Sequence, residues 1–103
     1  MGNEIVINEA NFEGEISTGL TLVDFWAPWC GPCRIQGPII EQVAYKVSGA
    51  AKVGKCNVDE NQGLAGRLGI QSIPTLILFE NGAEIDRMVG VQQESVLIEK
   101  LSR

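Results

Sequence analysis

Hydrophobic positions alternate along the chain between strand-like runs and helix-like spacing, and this alternation predicts an α/β domain. The clearest strand covers residues 20–27, whose nearly continuous apolar run is typical of a central strand buried on both faces. Shorter runs predict four more strands, at residues 4–7, 51–58, 75–80 and 84–89. The last two should form a hairpin, because Asn81-Gly82 between them suits the positive φ angles of a tight turn.

The longest helix is predicted to begin near Pro32, a residue that suits the first turn of a helix. It should end before Gly49, and Pro38 inside it should kink it, because proline removes a backbone donor. Apolar residues recur along it at helical spacing and mark the buried stripe: Ile40, Val43, Ala44 and Val47.

Three shorter helices complete the pattern. The first is capped by Asn8 or by Asn11 and runs to about Ile16. The second covers residues 59–68, is interrupted by glycine and ends at Gly69. The third covers residues 93–101, with three side chains predicted to face inward: Val96, Leu97 and Leu101.

Composition narrows the classes of function. The 103 residues fit a single domain over 1–103, and the 45% hydrophobic content supports a core without staples. A net charge of −5, with no long run of either sign, argues against a nucleic-acid-binding surface. No apolar run is long enough to span a membrane, and the first residues lack the basic and apolar blocks of a secretory signal. We therefore expect a cytoplasmic protein.

Three cysteines and no histidine limit the chemistry that is available. The pair Cys30 and Cys33 has the C-x-x-C spacing of half a zinc site, but a tetrahedral site needs four ligands and only Cys56 remains. An odd cysteine count also does not suit a secreted disulfide scaffold. We therefore predict no metal, and chemistry carried by thiols, carboxylates or lysines.

A redox interpretation explains the placement of the C-x-x-C pair, which joins the central strand to the long helix. Cys30 lies just before the helix N-terminus, where free N–H groups and the helix dipole stabilise an anion. The pKa of its thiol should therefore be lowered, which makes Cys30 the attacking thiolate. Cys33 lies in the first turn, should be less exposed, and is close enough to resolve a mixed disulfide.

The stretch Trp29-Cys30-Gly31-Pro32-Cys33 resembles the active-site motif of the thioredoxin family. Further matches follow at the spacings of that family: Asp24, Lys55, Ile73-Pro74-Thr75, Phe79-Glu80-Asn81-Gly82 and Gly90. The resemblance covers almost the whole chain, and Gly-Pro between the cysteines is typical of thioredoxins rather than glutaredoxins or disulfide isomerases. It implies the thioredoxin fold, a five-stranded mixed sheet flanked by four helices, and a protein-disulfide reductase that needs no bound cofactor.

The resemblance also implies roles for residues outside the motif. Asp24 would be a buried carboxyl beneath the disulfide with Lys55 nearby; burial would raise its pKa and let it accept the Cys33 proton. The alternative is an exposed acid on an edge strand. The Ile73–Pro74 bond would be cis and face the disulfide, and the backbone of Ile73 would pair with an extended substrate.

The remaining family positions concern the substrate surface. Gly31 and Pro32 belong to it through the motif, and Trp29 would be a partly exposed surface beside the nucleophile rather than a core aromatic. Gly90 is either a turn glycine or a point of close approach for substrate backbone. The implied partners are disulfide-containing target proteins and a flavoprotein thioredoxin reductase that uses NADPH, acting on a monomer.

Two features leave questions open. Gln36 shares a helix face with the buried stripe where the family usually has an apolar residue, and Gly37 is less usual than alanine, so they would loosen the helix or alter the partner surface. Cys56 is either a buried, inert thiol or a regulatory one. Rival functions are an oxidising or isomerising domain of the same fold, and an interaction module in which reductase activity is incidental.

Overall fold

Five strands and four α-helices alternate along residues 3–102, the part of the chain that the computed structural model describes. In chain order they are β1 (Ile5–Val6), α1 (Phe12–Ile16), β2 (Leu20–Trp26), α2 (Gly31–Lys46), β3 (Lys52–Asn57), α3 (Gln62–Arg67), β4 (Thr75–Glu80), β5 (Ala83–Val89) and α4 (Glu94–Leu101). A short 3-10 turn, Val58–Glu60, precedes α3.

The strands form one mixed sheet in the order β1-β3-β2-β4-β5. Strand β3 is parallel to both β1 and β2, whereas β4 is antiparallel to β2 and to β5. The continuous apolar run in β2 is explained by this central place, which covers both of its faces. In this register Asp24 lies opposite Lys55 on one side and Leu76 on the other.

Each face of the sheet carries its own hydrophobic core. Helices α2 and α4 cover one face through a cluster that includes Leu22, Ile40, Val43, Leu76 and Leu97. Helices α1 and α3 cover the other through Ile7, Phe12, Val23, Phe25, Leu64 and Ile77. Since side chains alternate along a strand, Asp24 points to the same face as Leu22, which is the face covered by α2.

The helix α2 is continuous from Gly31 to Lys46 and passes through Gln36, Gly37 and Pro38 without a break. The predicted buried stripe is confirmed, because Ile40, Val43, Ala44 and Val47 are all buried. Gln36 is buried with them, as its position on that face predicted.

Several local predictions need correction. Val96 was expected to face inward but is 38% exposed, because the face of α4 that packs on the core carries Leu97 and Leu101, with Ile98 partly buried beside them. The helix predicted at residues 59–68 is divided into the 3-10 turn and α3 by Asn61.

Neither of the two asparagines proposed as caps makes a side-chain capping hydrogen bond to the first turn of α1. Asn11 occupies the N-cap position of α1, while the side chain of Asn8 accepts the N–H groups of Ala10 and Asn11 in the preceding turn. The hairpin turn is confirmed, with φ angles of 50° at Asn81 and 89° at Gly82.

Candidate active site

The two cysteines of the C-x-x-C pair lie at the amino-terminal end of α2 and form a disulfide, with their Cα atoms 5.3 Å apart. Cys30 is the N-cap residue, and its Sγ accepts the backbone N–H of Cys33 at 3.2 Å. The Cys30 sulfur therefore occupies the place where a capping side chain meets the free N–H groups of a helix. Negative charge is stabilised there by the helix dipole.

The expected difference in exposure between the two cysteines is wrong for this disulfide form. Cys30 is 4% exposed and Cys33 is 6% exposed. Both are covered by the same small cluster, in which Ala27 is buried and Ile73 and Val58 pack against it. What distinguishes the two sulfur atoms is therefore the place of Cys30 at the helix N-terminus.

The loop before β4 lies against the disulfide. The Ile73–Pro74 peptide bond is cis, as the resemblance implied, and the Ile73 carbonyl oxygen is 3.6 Å from Cys30 Sγ. Ile73 is half-buried and Pro74 is buried. The geometry places the backbone of Ile73 next to the Cys30 sulfur.

Gly90 is joined to the same loop, since its N–H donates to the Pro74 carbonyl at 2.9 Å. Its φ of 92° lies in the left-handed region that favours glycine, so the turn interpretation accounts for the residue type. A Cβ built on Gly90 would meet no atom within 4 Å, so the space above it is also open. Both interpretations are compatible with this geometry.

Trp29 presents a large apolar surface beside the disulfide. It is 68% exposed, and its indole N–H donates to Asp59 Oδ2 at 3.0 Å. Gly31 and Pro32 are exposed on the first turn of α2. A groove of about 370 Å³ separates Trp29 from Ile73. Asp59 was not predicted from the sequence as a partner of Trp29, because no local pattern links two residues 30 positions apart.

Asp24 is fully buried, and neither of its carboxylate oxygens has a hydrogen-bond partner. Burial raises the pKa of Asp24 to about 7, and the positive charge of Lys55 opposes part of that rise. The prediction of a buried carboxyl is thus confirmed. A group with this pKa exchanges a proton readily near neutral pH.

Lys55 is the strand neighbour of Asp24 on β3, and its side chain reaches α2. Its Nζ is 4.9 Å from the centroid of the Trp26 ring. A Cβ built on Gly37 would be 3.5 Å from that Nζ, so the ammonium group lies against α2. Lys55, Gly37 and Cys33 line one cavity of about 280 Å³, which has room for water.

Cys56 lies in β3, away from the disulfide, and is fully buried. Burial raises the pKa of its thiol to about 11, and the negative charge of Glu9 adds to the rise. These surroundings favour the interpretation of Cys56 as an inert thiol. Among residues 3–102, no three cysteine, aspartate or glutamate side chains are grouped to hold a metal ion.

The geometry of this site defines a class of protein. A C-x-x-C disulfide at a helix N-terminus, packed against a cis-proline loop at the end of the interior strands β2 and β4 of a mixed sheet, is that of a thiol–disulfide oxidoreductase with the thioredoxin fold. In the described part of the chain, residues 3–102, no helix has the length and apolarity needed to cross a bilayer.

Comparisons with known proteins support the assignment to this class. The family model described as thioredoxin matches residues 3–103. A thioredoxin of Staphylococcus saprophyticus is 40% identical over 96% of this chain and 95% of its own length. A thioredoxin of Chlorobaculum thiosulfatiphilum is 44% identical over 97% of this chain and 94% of its own.

Among solved structures, a mutant thioredoxin from Halobacterium salinarum NRC-1 superposes with a TM-score of 0.87. It is 35% identical and the match covers 96% of this chain and 88% of that one. The chain belongs to the thioredoxin family, and it is a dithiol–disulfide oxidoreductase.

Proposed function

We propose that this chain reduces disulfides in protein substrates, with Cys30 as the nucleophile and Cys33 as the resolving thiol. The family acts on disulfide-containing substrates and typically works with a thioredoxin reductase. The observation that carries the assignment of roles is the Cys30 sulfur at the N-cap of α2, where it accepts the Cys33 N–H. That position stabilises a thiolate, and the thiolate is the form that attacks a disulfide.

In the first step the Cys30 thiolate attacks one sulfur of the substrate disulfide. A bond forms between Cys30 and that sulfur, the substrate S–S bond breaks, and the second substrate sulfur leaves as a thiolate. The substrate approaches over the exposed surface of Trp29, Gly31 and Pro32. It pairs with the backbone of Ile73 as an added strand would, and Gly90 leaves room beside it.

In the second step Cys33 attacks Cys30 and releases the substrate. The Cys33 thiol gives its proton to Asp24 by way of a water molecule, and its sulfur bonds to Cys30. The Cys30–substrate bond breaks and the remaining substrate sulfur also leaves as a thiolate. Asp24 then passes its proton to solvent, and solvent protonates both substrate thiolates. The substrate gains two electrons and two protons, and the chain is left with the Cys30–Cys33 disulfide.

A reductant must then restore the dithiol. We propose a flavoprotein thioredoxin reductase that takes its electrons from NADPH, acting on a monomer in the cytoplasm. The protein itself supplies no bound cofactor to this cycle; its own groups hold the substrate, carry the electrons as thiols and move one proton at Asp24.

The experiment is reduction of insulin disulfides by the purified chain. With NADPH and a bacterial thioredoxin reductase, the chain should catalyse many turnovers, and omission of the reductase should stop the reaction after one equivalent. A chain that fails to reduce insulin even after chemical reduction would contradict the proposal. A measured redox potential near that of oxidising relatives would favour the oxidising or isomerising alternative instead.

A further inference from the structure

A buried carboxamide joins the active-site helix to the segment that follows β5. Gln36 lies one turn past Cys33 on α2, and its side chain is fully excluded from solvent. Its Oε1 accepts the backbone N–H of Gln92 at 2.7 Å, and its Nε2 donates to the carbonyl oxygen of Gln92 at 3.1 Å. Donor and acceptor of the carboxamide are thus both used on the backbone of one residue, as a neighbouring strand would use them.

The segment that Gln36 holds continues to the loop beside the disulfide. Gln92 Nε2 donates to the Gly90 carbonyl at 3.2 Å, and the Gly90 N–H donates to the Pro74 carbonyl at 2.9 Å. Pro74 follows Ile73, whose carbonyl oxygen is 3.6 Å from Cys30 Sγ. Hydrogen bonds therefore connect α2, residues 90–92 and the cis-proline loop around the reactive sulfur.

The choice of a polar residue at this position points to positioning rather than to stability. The neighbours of Gln36 on the buried face of α2 are apolar, so a leucine there would fill the same space without burying polar atoms. A leucine would, however, leave the N–H and carbonyl of Gln92 without these partners. A hydrogen-bonded buried amide contributes little net stability but fixes one arrangement of the groups that it joins.

We propose that Gln36 is a positioning residue: it fixes residues 90–92 as one wall of the substrate surface and so sets the affinity for extended protein substrates. This inference rests on the proposed function, because it assigns to that wall a contact with the protein substrate. A small disulfide that contacts only the sulfur atoms does not touch residues 90–92, so its reduction should not depend on them. The chain should therefore discriminate between the two kinds of substrate through Gln36.

The test replaces the carboxamide and compares two substrates. Gln36→Leu removes both hydrogen bonds at similar volume, and Gln42→Leu, on the exposed face of the same helix, is the matched control. For Gln36→Leu, the ratio of kcat/KM for insulin to kcat/KM for a small aromatic disulfide should fall about tenfold, as when a substrate-positioning group is displaced. Most of the loss should be in KM for insulin rather than in kcat. Gln42→Leu should keep the wild-type ratio.

Amide hydrogen exchange reports the wall directly. In Gln36→Leu the Gln92 and Gly90 amides should exchange faster, while amides in the middle of β2 keep their protection. Gln36→Glu provides a second variant if the leucine variant does not fold. A protonated carboxyl supplies one donor and one acceptor, as the carboxamide does, whereas the ionised form supplies acceptors only. The substrate ratio of Gln36→Glu, taken relative to wild type at each pH, should recover as the pH falls.

Two results would contradict different claims. If the Gln92 amide exchanges faster in Gln36→Leu but the substrate ratio stays at the wild-type value, residues 90–92 are held for structure alone and the inference fails. If the wild-type chain itself does not reduce insulin, the proposed function fails, and the inference fails with it. An active wild type with an unchanged ratio in both Gln36 variants overturns the inference and leaves the proposed function intact.

Discussion

The N-terminus of α2 and the middle of β3 both bury a cysteine sulfur, but the first environment favours a thiolate and the second disfavours it. Cys30 is 4% exposed and Cys56 is 0% exposed, so accessibility hardly separates them. Cys30 Sγ accepts a backbone N–H at the start of a helix. Cys56 lies inside an apolar cluster, where burial and the charge of Glu9 raise the pKa of its thiol to about 11.

The difference teaches that the polar groups around a sulfur decide its chemistry here. A helix N-terminus supplies N–H groups and a favourable dipole without any other charged side chain. The backbone N–H and carbonyl groups of a strand inside a sheet are hydrogen-bonded to the neighbouring strands. They therefore cannot stabilise a buried thiolate. We therefore expect the same residue type to be a nucleophile in one place and a small, inert hydrophobic side chain in the other.

The largest effect should come from removing the helix-capping sulfur. Cys30→Ser should reduce insulin turnover to background, because a hydroxyl at the same N-cap position is not a nucleophile toward disulfides. Cys56→Ser, the same change in β3, is the matched control and should keep turnover. Substantial activity in Cys30→Ser would show that the sulfur at the N-terminus of α2 is not required for turnover.

Replacing Asp24 should slow the second step alone. Asp24→Asn removes the proton acceptor, so release of substrate from the mixed disulfide should slow about a hundredfold, within the range of general base catalysis. Formation of the mixed disulfide should be much less affected. Single-turnover kinetics with a fluorescent substrate peptide separates the two steps, and an unchanged release rate would remove Asp24 from the mechanism.

The same variant should change the pH dependence of stability. The pKa of Asp24 is raised from 3.8 to about 7, so between these values the folded state binds more protons than the unfolded state. The stability of the wild type should therefore fall as the pH rises through that window and level off above it. Asp24→Asn should lack this fall and be more stable at pH 8 by on the order of 2–4 kcal/mol.

Urea melts at pH 4, 6 and 8 measure both profiles. Glu41→Gln, an exposed acid on α2, serves as a control for the loss of one charge. Parallel profiles for the wild type and Asp24→Asn would show that burial of this carboxyl does not cost the fold free energy at neutral pH.

The strongest sequence patterns predicted the fold well, for physical reasons. The apolar run of β2 and the apolar stripe on α2 could be predicted locally, because each buried position favours an apolar residue whatever its partners are. Val96 was misassigned because the packed face of α4 carries Leu97, Ile98 and Leu101, and Val96 lies beside that face. The bonds from Trp29 to Asp59 and from Gln36 to Gln92 join residues 30 and 56 positions apart, and no local pattern encodes them.

The same distinction between local patterns and long-range contacts holds for the candidate site. The position of Cys30 before a helix and of Asp24 in an apolar strand could be interpreted locally, whereas the cis bond before Pro74 came from the family resemblance. The similar burial of Cys30 and Cys33 could not be foreseen, because it depends on how Ile73 and Val58 close over the disulfide.

The smallest effect should follow from changing Cys56. Cys56→Ala should leave insulin turnover within about twofold of wild type and lower stability by about 1 kcal/mol, the scale of a small core deletion. Because the pKa of the Cys56 thiol is raised to about 11, an alkylating reagent should label Cys30 quickly in the folded, reduced protein and Cys56 only after unfolding. Rapid labelling of Cys56 in the native state would favour the regulatory alternative.

Trapping of the mixed disulfide tests most directly that the helix N-terminus makes Cys30 the attacking sulfur. Cys30→Ser and Cys33→Ser are each reduced, mixed with a disulfide-bonded protein, quenched with acid and mapped by peptide mass spectrometry. We expect substrate covalently attached to Cys30 in Cys33→Ser and little adduct in Cys30→Ser. Adducts found mainly on Cys33 would contradict it.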